Sequence, residues 1–170
     1  MSIRATQAAK KVLEDFNRKL PINVEAVAKS LKIPIEYQTY EDDISGMLVM
    51  KDGNAIISIN KHHPEKRRRF SIAHEIGHYL LHGNSASVFI DKSPVFLRDK
   101  KSSEGTQIQE IEANRFAAEL LMPEDILKGK IIKKNLDIDD EIDLEKLAKQ
   151  FKVSTQALTV RLTRLGFISA

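Results

Sequence analysis

The sequence of 170 residues contains no cysteine. This absence excludes disulfide bonds and thiolate metal sites, so any metal ion must be bound by His, Asp or Glu side chains. It also favours a reducing compartment. Long apolar runs are absent as well: the N-terminal stretch MSIRATQAAKKVLEDFNRKL contains none that suits a signal peptide or a membrane span. We therefore expect a cytoplasmic protein with no membrane partner.

Charge of one sign is also scarce. Lys and Arg exceed Asp and Glu by 27 to 24, which gives a formal net charge of +3. A charge this small is compatible with nucleic-acid binding but does not argue for it. We expect the basic clusters at residues 66–69 and 128–134 to be solvated helix faces, and we do not expect the protein to bind nucleic acid directly.

The order of apolar and polar residues predicts a single domain, residues 1–170, of the α+β class. We expect a small, mostly antiparallel sheet surrounded by helices. Its main feature is a hairpin in which SGMLVM and AIISIN are joined through Asp52-Gly53, a dipeptide suited to positive φ. A short strand is predicted in IPIEYQT. Helices are predicted at residues 3–18, directly after the capping residue Asn23, at 64–82 and 107–122, and in a C-terminal pair within about 143–166 that packs on the domain.

The stretch RRRFSIAHEIGHYLLHG places ionisable groups in a segment that otherwise has the pattern of a buried helix. His74 and His78 are four residues apart, so they lie on one helix face and can bind one ion. Glu75 is rotated by about 100° from His74, so it can reach a metal-bound water more easily than the metal. This is the His-Glu-x-x-His arrangement of zinc hydrolases, in which the Glu is the general base.

A catalytic zinc site needs a third protein ligand, and the helix QIQEIEANRFAAELLMP offers two candidates. Glu110 shares a face with small and apolar residues that would let this helix pack closely on another. Glu112 points away, in a stripe with Arg115 and Glu119 that we expect to be solvated. We therefore predict Glu110 as the ligand and Glu112 as a surface residue. Asn114, one turn beyond Glu110, is predicted to hydrogen-bond a ligand from outside the coordination sphere.

Two blocks, RRRFSIAHEIGHYLLH and EIEANRFAAELLMP, resemble the ImmA/IrrE family of bacterial metallo-endopeptidases. Further likeness in PINVEAVAKSLKIPIEY and LAKQFKVSTQALTVRLTRLGFI extends the resemblance over most of the chain, apart from residues 83–106. It implies a zincin with a thermolysin-like core and an active-site helix pair. Carried over residue by residue, it implies His74, His78 and Glu110 as ligands of zinc, with manganese as an alternative, and Glu75 as the catalytic carboxylate. It also implies that the substrate is a helix-turn-helix repressor whose cleavage relieves transcriptional repression.

Peptide hydrolysis also requires a group that stabilises the oxyanion. Tyr79 and His82 are the candidates on the histidine helix, whereas His62 and His63 precede that helix and are expected to be exposed. A peptide substrate could add a strand to an open edge of the hairpin, along residues 47–50. The segment 83–106 has no helical period, contains the possible short strands VFI and VFL, and could gate a cleft.

The main alternative is a DNA-binding or partner-binding regulator with a structural or inactive metal site. The segment DLEKLAKQFKVSTQALTVRLTRLG has a helix-turn-helix pattern, with Ser154 placed as an N-cap. Its second helix would offer Arg161 and Arg164 to phosphates. The presence of Glu75 argues against an inactive site, because this residue serves chemistry and not metal binding.

Overall fold

Seven helices and four strands form the regular structure of the residues that the computed structural model describes, namely 3–16, 18–51, 53–83, 88–92, 103–134, 136–138 and 140–168. The helices are α1 (Ile3–Glu14), α2 (Val24–Ser30), α3 (Glu65–His82), α4 (Ser103–Leu121), α5 (Glu124–Lys134), α6 (Glu141–Phe151) and α7 (Thr155–Arg164). The strands are β1 (Ile35–Gln38), β2 (Ile44–Lys51), β3 (Asn54–Asn60) and β4 (Val88–Lys92). None of these helices is long and apolar enough to cross a membrane.

The four strands form one mixed sheet in the order β1-β3-β2-β4. β2 pairs antiparallel with both β3 and β4, whereas β1 pairs parallel with β3. The predicted α+β class and mostly antiparallel sheet are therefore confirmed. The hairpin between β2 and β3 turns at Gly53, whose φ of 77° is a conformation that glycine adopts without strain. Asp52, which was predicted to share this turn, lies outside the described residues.

The predicted peptide-binding edge at residues 47–50 is wrong. This segment belongs to β2, which lies inside the sheet with β3 on one side and β4 on the other. Its backbone groups already form ladder hydrogen bonds with both neighbours, so it cannot accept another strand. Within the described ranges the outer strands are β1 and β4. The predicted VFI strand forms the first part of β4, and the VFL segment lies outside the described residues.

The sheet packs its helices on one face. Side chains alternate between the two faces along each strand. Leu48, Ile57 and Phe89 point to the inner face and are buried, whereas Val49 and Ile56 point to the outer face and are 36% and 37% exposed. α3 packs on the inner face against β2 and β3. This packing explains why ten residues of α3 are buried, including both histidines of the motif.

α3 and α4 approach each other closely at Gly77. A Cβ atom at this position would lie 3.1 Å from the ring of Phe116 and 3.2 Å from Cα of Ala113. The glycine costs helix stability, about 1 kcal/mol relative to alanine, but it allows the two backbones to come together. Glu110 lies one turn before Ala113 on α4, so the close approach places its side chain opposite the histidines of α3.

The helices differ from the prediction in two larger boundary shifts and one additional helix. α1 ends at Glu14 rather than near residue 18, and α4 begins at Ser103 rather than near residue 107. α5 was not predicted at all. Pro123 ends α4, as expected, but its carbonyl also accepts a hydrogen bond from the backbone N–H of Leu127, which starts the next helix.

α6 and α7 form the predicted C-terminal helix pair, and the side chain of Ser154 caps α7 by accepting a hydrogen bond from the backbone N–H of Ala157. Arg161 of α7 is 8% exposed and forms an ion pair with Glu119 of α4. It also donates a hydrogen bond to the carbonyl oxygen of Met122. Arg161 is therefore buried and its guanidinium group is already paired, so the prediction that it could bind phosphates is wrong.

Candidate metal centre

The histidine pair lies on the buried face of α3. His74 and His78 are 2% and 1% exposed, and their ring centroids are 4.6 Å apart with the rings nearly perpendicular. Their Nε2 atoms are 2.9 Å apart. At this distance the two nitrogens can share only one proton, so at least one of them presents a lone pair to the other. The helical spacing therefore directs both nitrogens to one point in space, as the sequence predicted.

Glu110 of α4 completes this cluster. Its Oε2 atom is 3.3 Å from Nε2 of His74, and its Oε1 atom is 3.1 Å from Nε2 of His78. The Glu110 side chain is 30% exposed, so the cluster opens to solvent on the side of α4. Within the described residues, this is the one group of three or more His, Asp or Glu side chains whose ligand atoms are close enough to bind an ion together.

The spacing of these three donors fits a zinc-sized ion. Zinc binds nitrogen and oxygen at about 2.0–2.2 Å with tetrahedral geometry, which separates neighbouring ligand atoms by about 3.3–3.5 Å. The two Nε2 atoms are 2.9 Å apart, and Oε2 and Oε1 of Glu110 lie 3.3 and 3.1 Å from Nε2 of His74 and of His78, so either oxygen could complete the set. Two imidazoles and one carboxylate also form a donor set that catalytic zinc sites use. His74, His78 and Glu110 could therefore hold such an ion with little movement.

The charges of the cluster are strongly coupled. Burial opposes protonation of His74, but the hydrogen bond to Glu110 and the charges of Asp91, Glu75 and Glu110 outweigh it and raise the pKa of His74 to about 9. Burial lowers the pKa of His78. Burial would raise the pKa of Glu110, yet the hydrogen bonds from the two histidines hold it at about 2. The acidic groups around His74 thus favour positive charge at the point where the three side chains converge.

Glu75 is fully buried beside the cluster. Neither of its carboxylate oxygens has a hydrogen-bond partner among the described residues. Burial, helped by the charges of Asp91 and Glu110 and opposed by His74, raises the pKa of Glu75 to about 8. Gly46 of β2 lies next to it, since a Cβ atom there would be 3.5 Å from Oε1 of Glu75. A buried carboxylate without a partner is costly, so it requires an explanation in function.

Asn114 contacts His74 on the ring nitrogen that does not face the other ligands. Its Oδ1 atom is 3.2 Å from Nδ1 of His74, and a hydrogen bond donated by Nδ1 would leave Nε2 of His74 free for an ion. On His78 the ring stacks on Phe89, with centroids 4.5 Å apart and an angle of 25°. Nδ1 of His78 is buried with no hydrogen-bond partner in the described part of the chain. The two histidines are therefore oriented differently, one by an amide and one by a phenyl ring.

The other predicted site residues take different positions. His82 is 7% exposed, and its Nε2 atom is 3.5 Å from Oε2 of Glu112. Tyr79 packs against the hydrophobic core. The roles predicted for His82 and Tyr79 stay predictions. His62 is exposed, as expected, but His63 is buried and its Nε2 atom lies 3.2 Å from the carbonyl oxygen of Asp42.

The stripe on α4 that was expected to be solvated is largely buried. Glu112 has only 14% of its side chain exposed and lies against His82, so its assignment as a surface residue is wrong. Glu119 is 1% exposed and pairs with Arg161. α4 packs on both α3 and α1, and Arg161 of α7 contacts it at Glu119. Because more than one helix covers it, α4 has a wider buried surface than a helix with one packed face.

Three residues near the cluster were not predicted. Ser71 of α3 donates a hydrogen bond to Asp91 of β4 at 3.2 Å, and Phe89 of the same strand stacks on His78. Both β4 residues belong to the segment 83–106, which has no periodic pattern. Their approach to α3 depends on the pairing of β4 with β2, which no local sequence signal indicates.

Comparisons with known proteins agree with the site. The family model for Peptidase_M78, the IrrE N-terminal-like domain, matches residues 28–163. The chain is 34% identical over 82 residues to uncharacterized immunity region protein 2 of Bacillus phage phi105, covering 48% of this chain and 47% of that protein. It is similar to the solved structure of a Mycobacterium tuberculosis transcriptional regulator, with a TM-score of 0.62 and 19% identity, covering 95% of this chain and 47% of that one.

The chain thus spans about half the length of the two relatives it matches. At 19% identity the structural likeness shows a shared fold and no more. The family match, in contrast, extends over most of the chain and includes His74, His78 and Glu110. It confirms the resemblance that the two sequence blocks indicated. The chain belongs to the Peptidase_M78 family, as an IrrE N-terminal-like domain.

Proposed function

We propose that this chain is a zinc-dependent endopeptidase that hydrolyses a peptide bond in a helix-turn-helix transcriptional repressor and thereby relieves repression. One observation carries the proposal: three ligand-type side chains converge at hydrogen-bond distance, and a buried carboxylate without a hydrogen-bond partner among the described residues lies beside them. A structural cluster would satisfy that carboxylate. A hydrolase needs it unsatisfied, because it must take up and release a proton.

Each residue then has a defined part. His74, His78 and Glu110 would hold the ion, and Asn114 would keep His74 in the required tautomer through Nδ1. A bound zinc ion would supply an electrophile that polarises the scissile carbonyl and makes the attacking water more acidic. Zinc suits two imidazoles and a carboxylate better than magnesium or calcium, which prefer oxygen donors. Manganese is the alternative.

Glu75 is the proposed general base. Burial raises its pKa to about 8, so the carboxyl group can bind and release a proton near neutral pH. We propose that it accepts the proton of the attacking water and donates it to the nitrogen of the leaving amine. Gly46 brings the backbone of β2 close to this carboxylate, since a Cβ atom there would lie 3.5 Å from Oε1 of Glu75 and 3.0 Å from the side chain of Ile59.

The peptide is proposed to bind along β4. One side of this strand pairs with β2, and no other strand of the described residues pairs with its opposite side. β4 contacts α3 through Phe89, so a peptide that adds a strand to its outer side would pass next to the cluster. β4 thus replaces the segment 47–50 as the proposed edge for substrate.

A repressor is the proposed substrate because of the relatives. One is named as an uncharacterized immunity region protein of a phage and the other as a transcriptional regulator, and the second name supports a target in gene regulation. The rival function, direct DNA binding by α6 and α7, is disfavoured because Arg161 is buried in an ion pair. We propose that the protein acts in the cytoplasm, where such a repressor is located.

The test has two steps. The zinc-loaded chain is first incubated with a peptide library made from a digested bacterial proteome, and new termini are identified by mass spectrometry. It is then incubated with purified helix-turn-helix repressors from the source genome. We expect cleavage of one repressor by the wild type and none by Glu75→Gln, which keeps the side-chain size. Equal cleavage by both proteins, or cleavage by neither at full zinc occupancy, would contradict the proposal.

A further inference from the structure

The outer strand β4 touches the histidine helix α3 through two side chains. The ring of Phe89 stacks on the ring of His78, with centroids 4.5 Å apart. Two residues later, Asp91 accepts a hydrogen bond from Oγ of Ser71 at 3.2 Å. Residues two apart on a strand point to the same face, and Ser71 and His78 are separated by about two helical turns. The two contacts therefore join the same face of β4 to the same face of α3.

The two contacts differ in how well they fix the strand. Stacked rings tolerate sliding, because their attraction varies little with small lateral movements. A hydrogen bond from a hydroxyl to a carboxylate has a narrow range of distance and angle. Ser71 is 1% exposed, so water cannot easily replace Asp91 as its partner. The Ser71–Asp91 bond is therefore the contact that can set the position of β4 along α3.

A second polar contact fixes the neighbouring strand. Arg67, one turn before Ser71 on α3, donates hydrogen bonds from Nε and an Nη atom to Oγ of Ser45 at 3.1 and 2.8 Å. Ser45 lies at an irregularity of β2, where the register with β4 shifts between Ile44 and Gly46. Such a bulge re-aims the strand locally. α3 thus holds β2 through Ser45 and β4 through Asp91.

The carboxylate of Glu75 lies between these two contacts. Gly46 follows Ser45 and is the partner of Asp91 in the pairing of β2 with β4. It is also the residue whose Cβ would lie 3.5 Å from Oε1 of Glu75. The pairing with Gly46 and the hydrogen bond from Ser71 therefore place Asp91 on the Glu75 side of the cluster. A movement of β4 along α3 would therefore change the space in front of Glu75.

We propose that the Ser71–Asp91 hydrogen bond, called the clasp below, fixes β4 against α3. Ser71 and Asp91 are then positioning residues for the ring of Phe89 and for the peptide beside Glu75. The importance of the clasp for catalysis rests on the proposed peptidase function. The structural part of the proposal, in which the clasp sets the position of Phe89 on His78, does not depend on the peptidase function. The two parts can therefore be tested separately.

The structural part is tested by NMR on the full chain at fixed pH, with and without zinc. The readout is the set of nuclear Overhauser cross-peaks between the ring protons of Phe89 and His78. Asp91→Asn keeps an acceptor oxygen for Ser71, so we expect cross-peaks as in the wild type. Asp91→Ala and Ser71→Ala remove the bond, so we expect several-fold weaker cross-peaks. Unchanged cross-peaks in both alanine variants would overturn the clasp, and equal losses in Asp91→Asn and Asp91→Ala would show that charge, not hydrogen bonding, acts.

The catalytic part is tested with a fluorogenic peptide that contains the bond found in the library experiment. A lost hydrogen bond to a charged group corresponds to about a ten- to hundredfold effect. We expect kcat/KM to fall by that factor in Asp91→Ala and Ser71→Ala, to fall no further in the double variant, and to recover in Asp91→Asn. Rates are compared at full zinc occupancy, which competition with a chromophoric chelator establishes for each variant, because the charge of Asp91 also acts on the ligand His74.

The control is Asp125 of α5, an exposed carboxylate that pairs with Arg18. Asp125→Ala should leave the cross-peaks, zinc affinity and kcat/KM unchanged. Additive losses in the double variant would overturn the clasp, because they would mean that Ser71 and Asp91 act independently. If the wild type cuts no peptide, the NMR experiment still decides whether the clasp exists, and only the peptidase proposal fails.

Discussion

Two glutamates of α4, Glu119 and Glu110, each pair with basic side chains from another helix. They differ in how far hydrogen bonds and burial close the pair to solvent. Glu119 is 1% exposed; it pairs with Arg161 and its Oε1 atom accepts a hydrogen bond from the backbone N–H of Glu124. Glu110 pairs with His74 and His78 and is 30% exposed. The first pair is closed to solvent. The second opens to solvent, and its partners titrate.

The difference shows what distinguishes a structural charge from a functional one in this protein. Around Glu119 and Arg161, burial is balanced by hydrogen bonds that water cannot reach, and nothing is left for a ligand. Around Glu110, a buried Glu75 has no partner among the described residues, and the neighbouring carboxylates raise the pKa of His74. Burial of charge alone therefore does not indicate a site. The unsatisfied group next to an open cluster does.

The strongest test of this contrast is Glu75→Gln. The change removes the proposed base while keeping the shape of the side chain, so kcat should fall by about 10²–10⁴-fold. Zinc content should not change, because Glu75 is not a proposed ligand. The variant should also be at least as stable as the wild type, since an unpaired buried carboxylate is replaced by a neutral amide. Steady-state kinetics, metal analysis and thermal unfolding check the three statements.

Breaking the Glu119–Arg161 ion pair should lower the stability of the protein without affecting zinc binding. Glu119→Ala leaves Arg161 buried without its counter-charge, which should cost about 3–5 kcal/mol of the free energy of unfolding. The folded fraction should still bind zinc with wild-type affinity. Urea unfolding and a chelator competition assay measure the two quantities. The paired change Glu119→Leu with Arg161→Met should recover most of the lost stability; a double variant as unstable as Glu119→Ala would contradict this explanation.

A smaller effect, on metal affinity, is expected from a change at Asn114. Asn114→Ala removes the oxygen that lies 3.2 Å from Nδ1 of His74, so the ring loses the contact that sets its tautomer and orientation. Losses of this kind reduce metal affinity by about 10–100-fold. Chelator competition checks this, and Asn114→Asp, which keeps the acceptor, should retain affinity. Wild-type affinity in Asn114→Ala would mean that the contact has no part in the site.

The smallest effect expected is the pH dependence of zinc binding. The pKa of His74 is raised to about 9, so below that pH the ion must displace a proton from this residue. The pKa of His78 is lowered and that of Glu110 is about 2, so these two ligands do not compete with the ion for a proton near neutral pH. Affinity should therefore rise about tenfold per pH unit from near-neutral pH and level off near pH 9. Competition titrations across this range measure it. An affinity independent of pH would show that His74 is not protonated in the metal-free protein.

Most of the cluster could be predicted from sequence because its geometry is local. Two histidines one turn apart share a helix face, and the choice of Glu110 over Glu112 followed from the small residues beside Glu110. Gly77 lies where α3 comes close to Ala113 of α4, and a glycine between the two histidines is visible in the sequence. In each case the signal lies within a few residues of the side chain that it concerns.

The errors concern contacts between distant parts of the chain. Glu119 was expected to be solvated because its partner, Arg161, lies on another helix near the end of the sequence. Asp91 and Ser71 were missed because only the pairing of β4 with β2 brings them together. The parallel pairing of β1 with β3 has no local signal either. Charge stripes and strand positions depend on tertiary packing, which periodicity does not report.

The central claim is that Glu110, and not its neighbours on α4, completes a zinc site with His74 and His78. The most direct test is the zinc content of protein purified without chelators, measured by mass spectrometry for the wild type, Glu110→Ala and Glu112→Ala. Glu112 is a matched control because it lies on the same helix and contacts His82. We predict about one zinc per chain in the wild type and in Glu112→Ala, and loss of zinc in Glu110→Ala. No zinc in the wild type after zinc is added, or full retention in Glu110→Ala, would contradict the account.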